Sequence, residues 1–281
     1  MMKYSKYNSC KNDFIIIDNR QLLFPLNGGK WTKYPLNQED SAQLYIKSLC
    51  DRDYGIGADG LILLSIPPKG SNCLYHMSYF NSDGRLSSFC GNGSMCCAHF
   101  ASTLGISSSD KNSSGYFHTN EGVFYFESNV HNFNTKISLV DVQDFSIDDH
   151  GIFINTGSPH YVIFKHKIDK LNVHEAGRKI RYSQRFEKEG VNVTFASFVN
   201  KKLSIRTYER GVESETLSCG TGAVAAALSA SIYKFTLDKH ILVHTKGGIL
   251  NVSFDNQIDN FSNIYLESVV EKNFEGILPT E

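Results

Sequence analysis

Two cysteines in this 281-residue chain stand in the same short pattern. Cys90 opens the stretch CGNG, and Cys219 opens CGTG. Each follows a strand-like run and a polar loop, and each precedes a helix-compatible stretch. The two positions are 129 residues apart (219 − 90 = 129), close to half the chain. One C-G-x-G carries little information, but two copies in matching context indicate a duplicated domain with two equivalent thiols.

A cysteine at the start of a helix can do proton chemistry. It lies beside backbone N–H groups and the positive end of the helix dipole, which favour the thiolate. The same N–H groups can bind a carboxylate, and glycines let a ligand approach the backbone. If two such turns face each other, one thiolate removes an α-proton while the other thiol delivers a proton to the opposite face. Inert cysteines on closely packed core helices are the competing interpretation, which suits one copy better than two.

The elements that must position these turns are mostly strands. Short β-branched or aromatic runs, bounded by turn residues, recur along the chain. They are DFIIID, LILLSI, YHMSYF, GVFYFES, KISLV, GIFINTG, YVIFK, LSIRTYE, ILVHT and GILNVSF. Four stretches are helix-like, namely NQEDSAQLYIKSLC, SMCCAHFASTLG, VHEAGRKIRY and AVAAALSASIYK. The pattern predicts an α/β (α+β) fold that is rich in strands.

Two polar stretches are predicted to be loops. One is Ser-rich and runs from Ser107 to Ser114, and the other is the acidic DVQDFSIDDH from Asp141 to His150. The second lies near the midpoint of the chain. We therefore expect an N-terminal half over residues 1–142, with the Cys90 turn, and a C-terminal half over residues 143–281, with the Cys219 turn.

Composition excludes several classes of function. The 29 acidic and 28 basic residues nearly cancel and no long basic run occurs, so a nucleic-acid partner is not expected. No stretch approaches the roughly 18 to 20 apolar residues of a membrane span, and the N-terminus lacks a signal-peptide core. Seven cysteines without a C-x-x-C pair argue against a disulfide framework and a zinc site. We expect a cytoplasmic protein without a membrane partner.

Two glycine-rich stretches resemble the dinucleotide-binding fingerprint only in their letters. That fingerprint needs a strand before it and a helix after it. GIGADG, over residues 55–60, has a helix-like stretch before it and a strand after it. GTGAVA, after Cys219, has the right order but lacks an acidic residue at the end of a second strand. Neither stretch predicts nucleotide binding.

As an ordered set, the motifs resemble the diaminopimelate epimerase family of cofactor-independent amino-acid epimerases, which serve lysine and peptidoglycan synthesis. They are NDFIIID, GIGADG, YFNSDG, CGNG, GSPH, GVNVTF, YERG and CGTG, spread over nearly the whole chain. The resemblance implies two pseudo-symmetric domains, each with a curled, mostly antiparallel sheet around a central helix. It places the active site in the cleft between them and returns the C-terminal tail, about residues 268–281, to the first domain.

The resemblance also implies roles for individual residues. Catalysis falls to Cys90 and Cys219 as acid and base in turn, assisted by His160 and Glu209. Substrate binding falls to Asn12, Asn81, Gly91, Asn92, Asn192, Glu209, Arg210, Gly220 and Thr221. Arg210 suits a distal carboxylate through a bidentate pair. The expected partner is a small amino-acid substrate, with no cofactor and no metal. The sequence leaves open whether the protein forms a homodimer.

The residues alone leave other interpretations open for these positions. Asn12 and Asn81 are also typical turn residues, and His160 could lie at the surface. Glu209 and Arg210 could form a solvated ion pair of little energetic value. For the whole chain, the alternatives are a proline or hydroxyproline racemase and a non-catalytic binding protein on the same fold. The presence of both cysteines disfavours the second of these.

The chain departs from the family pattern at a few places. The segment before Asn-Asp-Phe is NSCKNDF rather than Gly-rich, and the loop before Cys219 is one residue longer. Gly60 stands where the family usually has Gln, and Ser158 where it usually has Asn. Losing amide groups from a site built on hydrogen bonds relaxes its selectivity. We therefore expect that a shorter acidic amino acid such as glutamate is also accepted.

Overall fold

The computed structural model describes residues 2–24, 38–87, 89–106, 113–257 and 260–278, with only the backbone described at 38–41. Most of the Ser-rich loop predicted from Ser107 to Ser114 lies outside these residues, and strand structure resumes at Ser113. The acidic stretch predicted as a loop contains a short strand, Phe145–Ile147, because these three residues pair with the strand that follows.

The described residues form four helices and sixteen strands. The helices are α1 (Gln38–Cys50), α2 (Gly91–Thr103), α3 (Val173–Arg181) and α4 (Gly220–Ile232). The strands are β1 (Met2–Ser9), β2 (Asn12–Asp18), β3 (Gly60–Ser65), β4 (Tyr75–Asn81), β5 (Ser113–Thr119), β6 (Gly122–Ser128), β7 (Asn134–Ser138), β8 (Phe145–Ile147), β9 (Ile152–Asn155), β10 (Pro159–Phe164), β11 (Asn192–Val199), β12 (Lys202–Glu209), β13 (Ser214–Thr216), β14 (His240–His244), β15 (Ile249–Gln257) and β16 (Asn260–Leu278). The predicted strand-rich α/β fold is confirmed. None of the described helices is both long and apolar enough to cross a bilayer.

The chain divides into two compact units. Unit 1 runs from Met1 to Thr135 and resumes at Val269, and unit 2 is Lys136–Ser268. The predicted boundary after residue 142 differs from this one, because residues 136–142 pair with the first part of β16 within unit 2. The backbone N–H of Leu139, for example, donates to the Ile264 carbonyl at 2.8 Å.

Unit 1 is a curved sheet around helix α2. The second part of β16 pairs with β1, and β2 to β6 follow in chain order. The pairs β2–β3 and β4–β5 are parallel, and the others are antiparallel. Helix α2 contacts β1, β2, β3, β4 and β6, so the sheet curls around it.

Strand β2 shows why NDFIIID is apolar without alternation. Ile15 and Ile17 pack in one cluster with Ile46 of α1, on one face of the sheet. Phe14 points to the other face, where its ring approaches Gly93 of α2. Because successive side chains point to opposite faces, a strand covered on both sides must be apolar throughout.

Unit 2 repeats this plan around helix α4. The first part of β16 is followed in the sheet by β15, β14, β12, β11, β10, β9 and β8, and β13 pairs with β12. Helix α4 contacts six of these strands, namely β9, β10, β11, β12, β14 and β15. Its residues from Gly220 to Ala230 are all buried. A helix that is apolar on every side is stable only in such a position.

Helix α3 packs on unit 2 through a glycine. A Cβ atom at Gly177 would lie 2.4 Å from the Cβ of Tyr208 on β12. Both residues are buried. The close approach of helix and strand therefore requires a residue without a side chain at this position.

We expect Gly177→Ala to destabilise the protein by about 1 to 3 kcal/mol, because the added methyl overpacks this contact. The sign is informative, since Gly→Ala inside a helix otherwise stabilises by about 0.5 to 1 kcal/mol. Urea unfolding measures the change. Lys179→Ala, on the exposed face of α3, is the matched control and should change stability by less than about 0.5 kcal/mol. An unchanged or raised urea concentration at the unfolding midpoint of Gly177→Ala would contradict the close packing of Gly177 on Tyr208.

Candidate active site

Both cysteines of the repeated pattern are helix N-caps. Cys90 precedes α2 with φ −120° and ψ 113°, and Cys219 precedes α4 with φ −127° and ψ 112°. Both helices have 13 residues. The carbonyl of Cys90 accepts from Ser94 N at 2.8 Å, and that of Cys219 from Ala223 N at 2.9 Å. Each thiol thus lies at the positive end of its helix, beside first-turn N–H groups that include those of Gly91 and Gly220.

In unit 1, two asparagines gather around Cys90. The Gly93 N–H donates to Cys90 Sγ at 3.4 Å, and Asn12 Oδ1 lies 4.0 Å from the same sulfur. Asn92 Nδ2 donates to Asn12 Oδ1 at 3.4 Å. Of the predicted residues, the structure therefore places Asn12, Gly91 and Asn92 next to the thiol.

A charged network supports Asn12 from behind. Asn12 Nδ2 donates to Asp59 Oδ2 at 2.7 Å, and Arg52 Nη2 bridges Asp59 and Asp13 at 2.7 and 2.8 Å. The buried ammonium of Lys6 pairs with Asp13 at 2.7 Å. Burial alone would raise the pKa of Asp13, but the hydrogen bonds from Arg52 and Lys6 outweigh it and lower that pKa to about 2. The charges of two cations and two carboxylates thus cancel in the network beside Cys90.

Asn81 lies at the end of β4 and makes turn contacts. Its N–H donates to the Arg85 carbonyl at 3.0 Å, and its carbonyl accepts from Gly84 N at 2.9 Å. Its partner across the strand pair is Gly60. A Cβ at Gly60 would lie 2.5 Å from a ring carbon of Tyr79, so the tyrosine covers the place where a side chain would begin.

In unit 2, a chain of hydroxyls and one histidine leads away from Cys219. The Cys219 sulfur lies 3.6 Å from the Thr221 hydroxyl, which lies 2.9 Å from His160 Nε2. His160 Nδ1 lies 3.1 Å from the Thr194 hydroxyl, which in turn lies 3.2 Å from that of Thr207. His160 is fully buried, so it is not a surface histidine.

His160 is neutral in this setting. Burial, together with the smaller effect of the positive charge of Arg210, lowers its pKa to about 3. A neutral imidazole has one donor and one acceptor nitrogen, and hydroxyls on both sides can match either tautomer. His160 is thus connected to Cys219 through the hydroxyl of Thr221.

A second group of predicted residues surrounds Asn192. Its Nδ2 donates to Ser158 Oγ at 2.7 Å and to the Pro159 carbonyl at 3.0 Å. Its Oδ1 accepts from the backbone N–H of Arg210 at 2.8 Å. Glu209, at the end of β12, accepts a hydrogen bond from the Thr216 hydroxyl. Ser158 thus has a structural partner among the predicted site residues.

Sequence reasoning missed several residues that support these thiols. They are Lys6, Asp13, Arg52 and Asp59 in unit 1, and Thr194 and Thr207 in unit 2. Strand alternation could have found Thr194, since it lies two residues after Asn192 on β11 and shares its face. Thr207 is its direct partner on β12. Asp59 lies inside GIGADG, one of the motifs of the family resemblance, in which Asp59 itself was given no role.

Comparison with known proteins identifies the family. A family model described as diaminopimelate epimerase matches residues 152–270. The diaminopimelate epimerase of Flavobacterium psychrophilum is 39% identical over 98% of this chain and 99% of its own. That of Aquifex aeolicus is 34% identical over 100% of this chain and 99% of its own. This chain belongs to the diaminopimelate epimerase family.

Solved structures share the fold at low sequence identity. A phenazine biosynthesis protein of the PhzF family from Bacillus anthracis superposes with a TM-score of 0.70 at 13% identity, covering 99% of both chains. A probable proline racemase from Agrobacterium radiobacter does so with a TM-score of 0.67 at 13% identity, covering 100% of this chain and 94% of its own. At such identities the likeness concerns the fold alone, so the family assignment rests on the sequence relatives.

We expect the neutral His160 to make stability fall as the pH drops below about 6.5. The pKa of this residue is about 3 when folded and about 6.5 when unfolded, so the unfolded chain binds the proton first and is favoured by acid. Urea unfolding at about pH 7 and about pH 5 measures the loss. His160→Gln should reduce it, while the exposed His150→Gln should leave it unchanged. Equal pH dependence in both variants would contradict a buried neutral imidazole.

Proposed function

We propose that this protein is an amino-acid epimerase that interconverts LL- and meso-diaminopimelate, with Cys90 and Cys219 as acid and base in turn. The observation that carries the proposal is the matched pair of thiol N-caps on two buried 13-residue helices, in a chain of this family. A binding protein would have no use for two equivalent thiols in this position.

The reaction needs only groups that the chain supplies. One thiolate removes the α-proton, and the electron pair of the C–H bond stays on the α-carbon. The other thiol delivers its proton to the opposite face, which inverts the centre and exchanges the roles of the two sulfurs. First-turn N–H groups of α2 and α4 suit the adjoining carboxylate, whose negative charge grows as the α-carbon is deprotonated.

The group around Asn192 suits the distal end of the substrate. Arg210 uses one guanidinium nitrogen on the Glu189 carbonyl, at 2.8 Å, and the Asn192 side chain fixes its backbone. A guanidinium held in this way presents further donors to a carboxylate. We also propose that this enzyme acts in the cytoplasm, where a reducing environment keeps both thiols in the reduced form.

We expect Cys90→Ser and Cys219→Ser each to lower epimerisation of diaminopimelate by at least about 100-fold, since each removes an acid–base group. Deuterium incorporation at the α-carbon, followed by NMR with reduced thiols and no added pyridoxal phosphate, measures the loss. Cys73→Ser, a half-buried cysteine outside both turns, is the control and should retain activity. Full activity of Cys90→Ser or Cys219→Ser would contradict the two-thiol mechanism. If the native protein incorporates no deuterium, a binding protein becomes the favoured interpretation.

We also propose that glutamate is a slower substrate. Ser158 gives Asn192 a partner, but a hydroxyl reaches less far than an amide, so fewer bonds are available to select the longer substrate. We expect Ser158→Asn to raise the preference for diaminopimelate over glutamate by about 10-fold, the value of one hydrogen bond. The ratio of kcat/KM for the two substrates measures it.

Ser146→Asn is the matched control for this test, because Ser146 is exposed on β8 and should leave the ratio unchanged. Glutamate that exchanges no α-hydrogen, under conditions where diaminopimelate exchanges readily, would contradict the wider specificity. It would leave the main proposal intact.

A further inference from the structure

The side-chain amide of Asn12 has a fixed orientation. One of its ends bonds Asp59 at 2.7 Å, and an ionised carboxylate can only accept hydrogen bonds. The NH2 group must therefore face Asp59. The oxygen is then turned to the other side, where it lies 4.0 Å from Cys90 Sγ and 3.4 Å from Asn92 Nδ2.

An amide oxygen in this place distinguishes the two states of Cys90. It accepts a hydrogen bond from the S–H of a thiol, whereas a thiolate would face the negative end of the amide dipole. The Gly93 N–H, 3.4 Å from the sulfur, donates to it in both states and bonds the thiolate more strongly, so it opposes the effect of the amide oxygen. The orientation of Asn12 therefore favours the thiol form of Cys90.

Asp59 is itself held on several sides. Arg52 Nη2 donates to its Oδ1 at 2.7 Å, and the backbone N–H of Asp13 donates to its Oδ2 at 3.1 Å. The backbone N–H of Asp59 donates to the Asp13 carbonyl at 2.9 Å. Because these contacts fix the Asp59 carboxylate, it cannot change its orientation when Asn12 does. The carboxylate therefore sets the orientation of the Asn12 amide.

The charges and thiols near Cys90 do not cancel this preference. Lys6 and Arg52 are paired with Asp13 and Asp59, which leaves the network without net charge. Burial raises the pKa of Cys96, on the same helix, well above its usual value, so that thiol stays neutral.

The surroundings of Cys219 do not impose the same choice. Its sulfur lies 3.6 Å from the Thr221 hydroxyl, which can accept from a thiol or donate to a thiolate. The two turns therefore have similar cap conformations, but the Asn12 oxygen can only accept from Cys90, whereas the Thr221 hydroxyl can accept from or donate to Cys219.

We propose that Asp59 is a positioning residue that turns the Asn12 oxygen toward Cys90, so that Cys90 rests as the thiol and supplies the first proton. This inference rests on the proposed function. In the first turnover, Cys219 as thiolate takes the α-proton and Cys90 gives its S–H proton to the opposite face. The cycle ends with Cys219 as thiol and Cys90 as thiolate, so atoms and charge balance.

The test is the pH dependence of alkylation at each cysteine. Substrate-free protein is treated with iodoacetamide over a range of pH, and modification of Cys90 and Cys219 is measured by peptide mass spectrometry. In Asp59→Asn the partner side chain can donate as well as accept, so Asn12 can turn over. We expect the midpoint for Cys90 to fall by about one pH unit and the midpoint for Cys219 to stay unchanged.

A double-mutant cycle separates positioning from charge. Asn12→Ala alone should lower the Cys90 midpoint, and adding Asp59→Asn to it should cause no further shift. An equal shift from Asp59→Asn in both backgrounds would mean that lost charge is the cause and would overturn the proposal. So would an unchanged midpoint in folded Asp59→Asn.

If Asp59→Asn does not fold, Asn12→Ala alone tests the proposal. An unchanged alkylation midpoint of Cys90 in Asn12→Ala would show that the Asn12 oxygen has no effect on this thiol, and would overturn the proposal. Alkylation needs no turnover. A failure of this proposal therefore appears in the Cys90 profile alone, whereas a failure of the epimerase proposal appears as absent α-hydrogen exchange in the native protein.

Discussion

Each cysteine turn depends on the burial of the helix that follows it, along almost the whole length of that helix. Every residue of α2 from Gly91 to Ser102 is buried, as is every residue of α4 from Gly220 to Ala230. A helix enclosed by a curved sheet cannot slide or rotate without losing packing on every side. Its first turn is therefore fixed, and with it the sulfur of the N-cap. The small residues of α4 suit this role because they let the strands approach the helix closely.

The two cysteine turns provide matching thiols, but the proposed proton transfer begins with one sulfur ionised and the other protonated. The two cap conformations differ little, with φ of −120° and −127°. The difference lies in the side chains: an amide oxygen backed by a carboxylate near Cys90, and a hydroxyl backed by a neutral histidine near Cys219. The side chains can differ between the two turns without disturbing the backbone that holds each sulfur.

Much of the fold and of the candidate site could be predicted from the sequence, and there are physical reasons why the other features could not. All ten predicted strands and four helices are present, since their patterns are local. Six strands have no counterpart among the predicted ones, namely β1, β5, β8, β11, β13 and β16. The resemblance implied only that the tail from about residue 268 returns to the first domain, and charged residues interrupt the alternation in that part of β16. The link between Asn12 and Asp59 depends on the parallel pairing of β2 with β3, which brings together residues 47 positions apart. Such a pairing leaves no local signal.

The two departures from the family pattern show why a missing side chain is not the same as a missing contact. At Gly60 the ring of Tyr79 lies where a side chain would begin, so the residue leaves no empty space there. At Ser158 the hydroxyl accepts from Asn192, whose oxygen still holds the backbone of Arg210. The change therefore leaves no gap at Gly60, and at Ser158 it leaves Asn192 with a partner. Selectivity at the distal end therefore depends on how far Ser158 and Arg210 reach, and counting the amides that the sequence lacks overstates the loss.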